Sequence, residues 1–462
     1  MTESRTSPKD DNLKFLGGPA ADGDLIAAPA TASGAGAVGV VRLSGEALAD
    51  CLSKVLASWK VLLQSPRTMV LTSVMSPSSG RALDRALAVF FPAPFSFTGE
   101  DCAEIHCHGG SAAPRLVLEA VLSAGARLAR PGEFTQRAFL NGKMSLDQAE
   151  AVAELVAAQS EAEAFLAVRH LEGALSKSLA PVFGELKAVC ADLLAALDFL
   201  DEEWTEGDQA LLLPRLSKLS EKLSRLLASA REGRIYRDGL RVVLCGPPNA
   251  GKSSLLNALL GRERALVSSE PGTTRDYLEA AVSWGGIRVE LVDTAGLREE
   301  GAGALENLGQ DLARRELERS DVAVWLKDCS DPKAMGPPLI SGAKILTTLS
   351  KSDLAPSRPA GVLAVSSVTG SGLDSLKEAV LALAGAESGP GPEAAPNLRQ
   401  SRALEECHKR LNSAVEGLKA GTPLDIAYLE LSGALAALGL VTGATMTEDL
   451  LEEVFSRFCL GK

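Results

Sequence analysis

Gly246-Pro-Pro-Asn-Ala-Gly251-Lys252-Ser253 has the glycines, lysine and hydroxyl of a phosphate-binding loop at the spacing G-x-x-x-x-G-K-[ST]. Such a loop turns backbone N–H groups toward phosphate oxygens, sets the lysine ammonium against the β- and γ-phosphates, and offers the hydroxyl to a magnesium ion. Asn249, Ala250, Gly251, Lys252, Ser253 and Ser254 are therefore the residues expected on a bound nucleotide. The flanks suit that chemistry. Val242-Val243-Leu244-Cys245 is an apolar run of the kind that forms a buried strand, and Leu255, Leu256, Leu259 and Leu260 have helical spacing. Strand, glycine loop and helix together aim a helix N-terminus at the phosphates.

Four further segments follow in the order a GTP-hydrolysing protein needs. Asp293-Thr294-Ala295-Gly296 ends the strand-like run Ile287 to Val292, so Asp293 is expected in the magnesium shell and the Gly296 N–H on the γ-phosphate. Gly272-Thr273-Thr274-Arg275-Asp276 lies between, where a first switch belongs, and Thr274 is the expected second magnesium hydroxyl. Ser350-Lys351-Ser352-Asp353 follows a third strand-like run. There Asp353 is expected to accept from the guanine ring N–H and amino group, a donor pair adenine lacks, while Lys351 lies along the base. Ser350 occupies a position that suits an asparagine amide. Ser366, beside Ser367, is expected in the last base-contacting loop. Leu297 stands where a water-orienting glutamine would be, so another group must orient the water. Glu299, Glu300 and Glu306 are the candidates, against the plainer possibility of solvated loop acids.

The 462 residues suggest roughly three domains at about 150 residues each. A hydrophobic content of 46% with 23% charged residues implies folded cores. The formal charge of −12 argues against a generally basic nucleic-acid surface, so RNA contact requires a local patch or a partner. Eight scattered cysteines without Cys-x-x-Cys read as reduced thiols of a cytoplasmic protein. No uninterrupted apolar run long enough to span a bilayer is apparent, and no membrane association is expected.

The expected fold class is α/β plus α. Residues 1–23 read as a disordered extension. Residues 24–144 are a mixed α+β segment, with strands at Val38–Leu43, Ala86–Phe91 and Ala103–His106 and a helix at Arg115–Ala124. Residues 145–236 turn helical, with Leu146, Ala149, Val152, Ala153 and Val156 on one face. Residues 237–385 hold the nucleotide motifs, with a hairpin expected at Trp284-Gly285-Gly286-Ile287. After the breaker-rich stretch Ser388 to Glu393, read as a linker, residues 386–462 return to helix. A helical bundle interrupted by an inserted P-loop domain accounts for this order, and such an insertion suits a switch.

A second neighbourhood, Glu100 to Gly110, gathers His106 and His108 beside Cys102 and Cys107. Consecutive His106-Cys107-His108 cannot converge on one ion from a strand, so a small-molecule pocket around Glu104 and Gly109-Gly110 is favoured over zinc. Arg127 to Lys143 interleaves basic residues with Phe134 and Phe139, which fits a loop for anionic groups or RNA phosphate, or equally a solvated connector. Cys459, near the terminus, is either a reactive thiol reaching a neighbouring site or a packed, inert one.

Together these residues closely resemble one family, the tRNA-modification GTPases called MnmE or TrmE. The resemblance runs from Asp24 to Lys462. It is carried by Ile26–Thr31, Gly39–Gly45, Phe97–Asp101, His108–Gly110, Pro131–Phe134, Arg137–Lys143, the nucleotide motifs and the tail Phe458-Cys459-Leu460-Gly461-Lys462. The resemblance implies an N-terminal folate-binding domain that forms a homodimer, and a helical domain interrupted by a Ras-like G domain. It implies a potassium-activated GTPase that works with a flavin-bound partner, MnmG (GidA). Together they install aminomethyl or carboxymethylaminomethyl groups at C5 of the wobble uridine of certain tRNAs. Potassium is then ligated by Asn249, Ser268, Glu270 and Thr273, and Glu306 orients the water. Arg42, Glu104, Lys143 and Lys462 bind 5-formyltetrahydrofolate, and Cys459 belongs to the catalytic tail. Departures include Ser350 for asparagine, Ala32-Ser33 for a Pro-Pro pair, Ala35 for arginine and Cys107 for the glycine of some members. The alternative is a switch that binds ribosome or RNA without modification chemistry, which the folate-pocket residues and the Cys459 tail disfavour.

Overall fold

A computed structural model describes residues 24–32, 34–198, 206–262, 279–293, 315–330, 343–354, 362–387, 389 and 391–461. The chain divides into two compact units: residues 24–32, 34–156, 171–198, 206–220 and 402–461 form the described part of the first, and the second draws on 157–170 and 221–401.

The first unit opens with β1 (Ile26–Pro29), β2 (Val38–Ser44), α1 (Leu48–Val55), α2 (Trp59–Gln64), β3 (Val70–Met75), β4 (Ala82–Phe91), β5 (Cys102–His108), α3 (Ala112–Ser123), β6 (Arg127–Leu128) and α4 (Glu133–Leu140). Its six-stranded sheet has the order β3-β4-β5-β2-β1-β6, antiparallel except for the parallel β1–β6 pair. Strand alternation sorts the side chains. Val41, Leu43, Ala103 and Ile105 pack with Leu52, Val117 and Val121 from α1 and α3. On the opposite face Arg42 stands beside Glu104, and Leu71 and Leu87 form an exposed cross-strand pair.

Helices complete this unit: α5 (Leu146–Ala157), α7 (Ala174–Asp198), the first half of α8 (Glu206–Asp238), α11 (Leu398–Lys419), α12 (Leu424–Thr442) and α13 (Glu448–Phe455). Segments on either side of the nucleotide motifs pair, as α12 does with α7. By length and composition α12 is apolar enough to cross a membrane, at a mean hydropathy of 1.6, a property missed in the sequence because Asp425 and Glu430 interrupt the run. Its Leu431, Ala434, Leu438 and Val441 are buried.

The second unit is built on β7 (Leu240–Cys245), α9 (Lys252–Arg262), β8 (Glu279–Trp284), β9 (Ile287–Asp293), β10 (Val322–Asp328), β11 (Lys344–Ser350) and α10 (Leu373–Ala384). The strand order is β11-β10-β7-β9-β8, parallel except for the β8–β9 hairpin. That hairpin turns on Gly285 and Gly286, whose φ values of 58° and 84° suit the two-residue turn matched to strand twist.

This unit extends beyond 237–385. It takes in α6 (Glu161–Leu171), because Ala162 and Leu166 lie in the same apolar core as Trp284 and Ile287, and the Ala162 N–H donates to the Gly286 carbonyl at 3.0 Å. It also takes in the latter half of α8 and the segment leading to α11. The expected linker differs in its described part, residues 389 and 391–393, which continues into a fastened strap. Arg169 donates to the carbonyls of Gly391 and Pro392 at 2.9 Å each. His170 Nε2 accepts the Ala395 N–H at 3.2 Å, and Arg237 donates to the Pro396 carbonyl at 2.7 Å. A Cβ on Gly233 would lie 2.0 Å from that of Ala395, so glycine there allows the close approach.

Candidate functional site

The phosphate loop joins β7 to α9, which begins at Lys252. Gly246 has φ 143°, and a Cβ there would lie 2.4 Å from the Leu326 carbonyl oxygen. Only glycine lets this turn pass so close to β10. Asn249 is exposed with φ 64°, while Ala250 is buried and anchors the loop to the core. Gly251, at φ 88°, leads into the helix, where Ser253 and Ser254 are exposed. Lys252 is buried, and its Nζ reaches back to the carbonyls of Gly246 at 3.1 Å and Pro247 at 2.9 Å. The ammonium therefore lies over the loop it serves. Ser253 Oγ donates to Asp293 Oδ2 at 2.7 Å, which brings two hard oxygen donors from α9 and β9 together. Hard oxygens of this kind suit magnesium.

At the Ser350–Asp353 motif, β11 ends at Ser350, and Lys351 turns the chain with φ 56°. Asp353 Oδ1 accepts from Ser366 Oγ at 2.6 Å, and Ser366 is fully buried. The Ser352 N–H donates to the Val365 carbonyl at 3.1 Å, which ties the two loops together. Lys351 Nζ pairs with Asp328 Oδ2 at 2.6 Å, a partner the motif itself does not contain. Asp328 lies outside the four-residue pattern, and only its position at a strand end could have signalled it. Ser268, Glu270, Thr273, Thr274, Gly296, Glu299, Glu300 and Glu306 lie outside the described residues.

The second neighbourhood lies on the open face of the six-stranded sheet. Arg42 bonds Glu104 Oε1 through Nε at 3.0 Å and Nη2 at 2.9 Å, and His106 Nε2 meets Oε2 at 3.1 Å. A carboxylate has about four lone-pair sites, so Glu104 keeps acceptor capacity for a ligand. The Arg42 guanidinium carbon lies 5.5 Å from the Phe97 ring centre and 5.8 Å from that of Phe134. Lys143 Nζ donates to the Pro94 carbonyl at 2.8 Å, and its stem borders Gly99, so it sits on the loop that carries Phe97. Cys107 points the other way, into the core, where its Sγ donates to the Gly39 carbonyl at 3.2 Å. Among the described residues no group of three or more His, Cys, Asp or Glu gathers that could hold a metal. His108 Nδ1 instead meets Asp84 Oδ1 at 2.6 Å.

The basic stretch 127–143 is a helix for much of its length, and two of its arginines are committed to carboxylates. Arg127 and Arg137 share Glu133 and Asp24, and Arg137 also meets Glu100 at 3.2 Å. Phe134 is fully buried. The stretch is thus largely helical rather than an open loop, with Phe134 tucked inward as the connector reading expects and Arg127 and Arg137 taken up by carboxylates. Its charge is neutralised internally because Glu133, fully buried, needs those guanidiniums. Burial pushes the Glu133 carboxyl up, but hydrogen bonds from Arg127, the Arg130 N–H and Arg137 outweigh it and hold the carboxyl down at about 2.

The tail folds against the same unit. Phe455 and Phe458 pack with Leu146 and Ala149, and a Cβ on Gly461 would lie 2.0 Å from the Pro29 carbonyl oxygen. Ala28, beside Pro29, is the register partner of Arg42. Cys459 is exposed, and Lys462 lies outside the described residues.

A family model described as the MnmE helical domain matches residues 146–459, and one described as the GTP-binding protein TrmE N-terminus matches residues 25–143. The tRNA modification GTPase MnmE of Methylobacterium sp. (strain 4-46) is 42% identical over 447 residues, which covers 95% of this chain and 100% of that protein. The tRNA modification GTPase MnmE of Thermus thermophilus is 43% identical over 447 residues, with 95% and 99% covered. Among solved structures, the G domain of the T. maritima FeoB iron transporter is 26% identical over 31% of this chain and 98% of that one, at a TM-score of 0.23, too low to carry an argument.

Proposed function

The chain belongs to the MnmE (TrmE) family of tRNA-modification GTPases, and on that basis we propose that it hydrolyses GTP through a potassium-dependent pairing of G domains while a folate-bound N-terminal domain serves the modification chemistry. It is a GTPase acting in tRNA modification. The observation that carries the catalytic part is the joining of Ser253 Oγ to Asp293 Oδ2 at 2.7 Å, where the Lys252 helix begins.

In the proposed mechanism the loop N–H groups and Lys252 bind the β- and γ-phosphates, and the positive end of α9 faces the same charge. Ser253, Thr274 and the Asp293 shell would hold Mg2+, and Asn249, Ser268, Glu270 and Thr273 would hold K+. These cations supply positive charge that balances the charge developing on the transferred phosphoryl group. The exposed, left-handed position of Asn249 is what supports its share of that role. Glu306 orients the attacking water, because Leu297 cannot. Asp353 and Lys351 select guanine, and Ser366 holds Asp353 in place.

Arg42, Glu104, Lys143 and Lys462 would bind 5-formyltetrahydrofolate, with Glu104 accepting from the pterin. The Arg42 guanidinium beside the exposed Phe97 ring supports a surface for a flat heterocycle. The exposed Val38, Leu71 and Leu87 on that sheet face support homodimer formation there. The acidic net charge supports dependence on a partner, the flavin-bound MnmG, for holding tRNA. Cys459 stays a candidate for the chemistry of the tail.

The test is GTP turnover in matched potassium and sodium buffers, together with mass spectrometry of wobble uridines from cells lacking the protein. Strong loss of turnover in sodium and loss of the modified uridine are expected. Equal rates in the two salts would remove the cation from the mechanism, and unchanged uridines would remove the modification role.

A further inference from the structure

The base-reading loop starts where two parallel strands end together, with Asp328 of β10 the register partner of Ser350 of β11. The next residue, Lys351, adopts φ 56°. For a residue with a side chain that left-handed conformation is strained, so the surrounding structure must hold it. Among the described residues the Ser350 hydroxyl makes one long contact, to the Lys327 carbonyl at 3.3 Å, and contributes little. The firm contact is the 2.6 Å pair between Lys351 Nζ and Asp328 Oδ2. Asp328 is itself fixed, because its Oδ1 accepts both the N–H of Ser330 at 2.9 Å and its hydroxyl at 2.6 Å. The carboxylate therefore cannot swing away without losing two further bonds.

We propose that Asp328 is a positioning residue for guanine recognition: it holds the Lys351 ammonium so that the lysine stem lies flat where the base must stack. This rests on the assignment of Ser350–Asp353 as the base-reading loop. An ammonium has three donors, so Lys351 keeps two for nucleotide oxygens while one is spent on Asp328. On the other side of the turn Ser366 does the same for Asp353. The loop is thus held from both sides, by Asp328 of β10 and by Ser366, and the contact from β10 takes over where Ser350 offers no amide. Burial draws the Asp328 carboxyl up, yet the Lys351 and Ser330 hydrogen bonds leave it below its ordinary value, so it is ionised at neutral pH.

The test uses the full-length protein and a ribose-labelled fluorescent GDP chased with unlabelled GDP. Asp328→Asn keeps the shape and the acceptor for Ser330 but removes the charge. It is expected to speed GDP release about tenfold, the loss of one charge-assisted hydrogen bond in a half-buried setting. The KM for GTP should rise in step while kcat at saturation stays unchanged, because the phosphate site is elsewhere. Lys351→Ala should release GDP at least as fast, and Asp328→Asn should add nothing in that background. Release within twofold of wild type for Asp328→Asn, or a full additive effect on top of Lys351→Ala, would overturn the proposal. If Lys351→Ala itself leaves release unchanged, the base-reading assignment falls instead.

Discussion

Replacing Glu133 by glutamine tests the ion-pair network of the N-terminal sheet. Glu133 Oε1 accepts from Arg127 Nη2 at 2.6 Å and Arg137 Nη2 at 3.0 Å, and Oε2 accepts from Arg127 Nη1 at 2.9 Å and the Arg130 N–H at 2.8 Å. Glutamine keeps the shape but turns two N–H donors toward groups that only donate. The carboxyl moves from an ordinary 4.5 to about 2, and at about 1.4 kcal/mol per tenfold change in proton affinity this corresponds to about 3 kcal/mol of stability. Removing one partner of a buried pair typically costs about 3–5 kcal/mol, which agrees. Because the folded carboxyl is the more acidic, its contribution is complete above the ordinary value. It is lost as pH falls through 4.5 toward 2. The difference between wild type and Glu133→Gln should be about 3 kcal/mol at pH 7, roughly half that by pH 3, and gone below about pH 2. Hydrogen exchange at the Arg127 and Ala129 amides, which donate to Leu25 and Ala27 across the β1–β6 pair, reads this opening directly. Protection lower by about two orders of magnitude at pH 7 is expected. Equal protection, or a gap that does not narrow between pH 6 and pH 3, would refute the electrostatic account.

Under the proposed mechanism, in which the ammonium folded over the loop meets the phosphates, Lys252→Ala should abolish GTP turnover; retention of a tenth of the wild-type rate would contradict this. Glu104→Gln should weaken binding of 5-formyltetrahydrofolate by about tenfold in equilibrium dialysis, the scale of one charge-assisted hydrogen bond, without altering GTP hydrolysis by the isolated protein. Burial pushes the thiols of Cys51 and Cys190 up to about 11 and those of Cys245 and Cys407 up to about 12. Iodoacetamide at pH 8 should therefore label exposed Cys459 first and those four only on unfolding, as peptide mass spectrometry would show.

The phosphate loop was legible because each of its residues answers a local demand: glycine where β10 presses close, lysine and serine at a helix start. The strands at Val38 and Ala86 and the Trp284–Ile287 hairpin were legible from alternation and turn chemistry. The role of Arg127 to Lys143 was not, because a run of arginines looks the same whether its partners are phosphates or the distant Asp24 and Glu100. Asp328 was equally hidden, since strand register rather than spacing brings it to Lys351. The outward reach of the second unit was missed for the same reason: Ala162 and Leu166 belong to a helical pattern that does not reveal which core it covers.

That reach bears on how the nucleotide-binding module can be cut out and handled alone. A fragment trimmed to 237–385 would lose the Ala162 bond to the Gly286 carbonyl and bare the flank of the core around Trp284. It would also discard Arg169, His170 and the strap from Gly391 to Ala395 that they grip. An excision that keeps these contacts joins residues 157–170 to 221–401, and nucleotide measurements on anything shorter would describe a core opened along one flank.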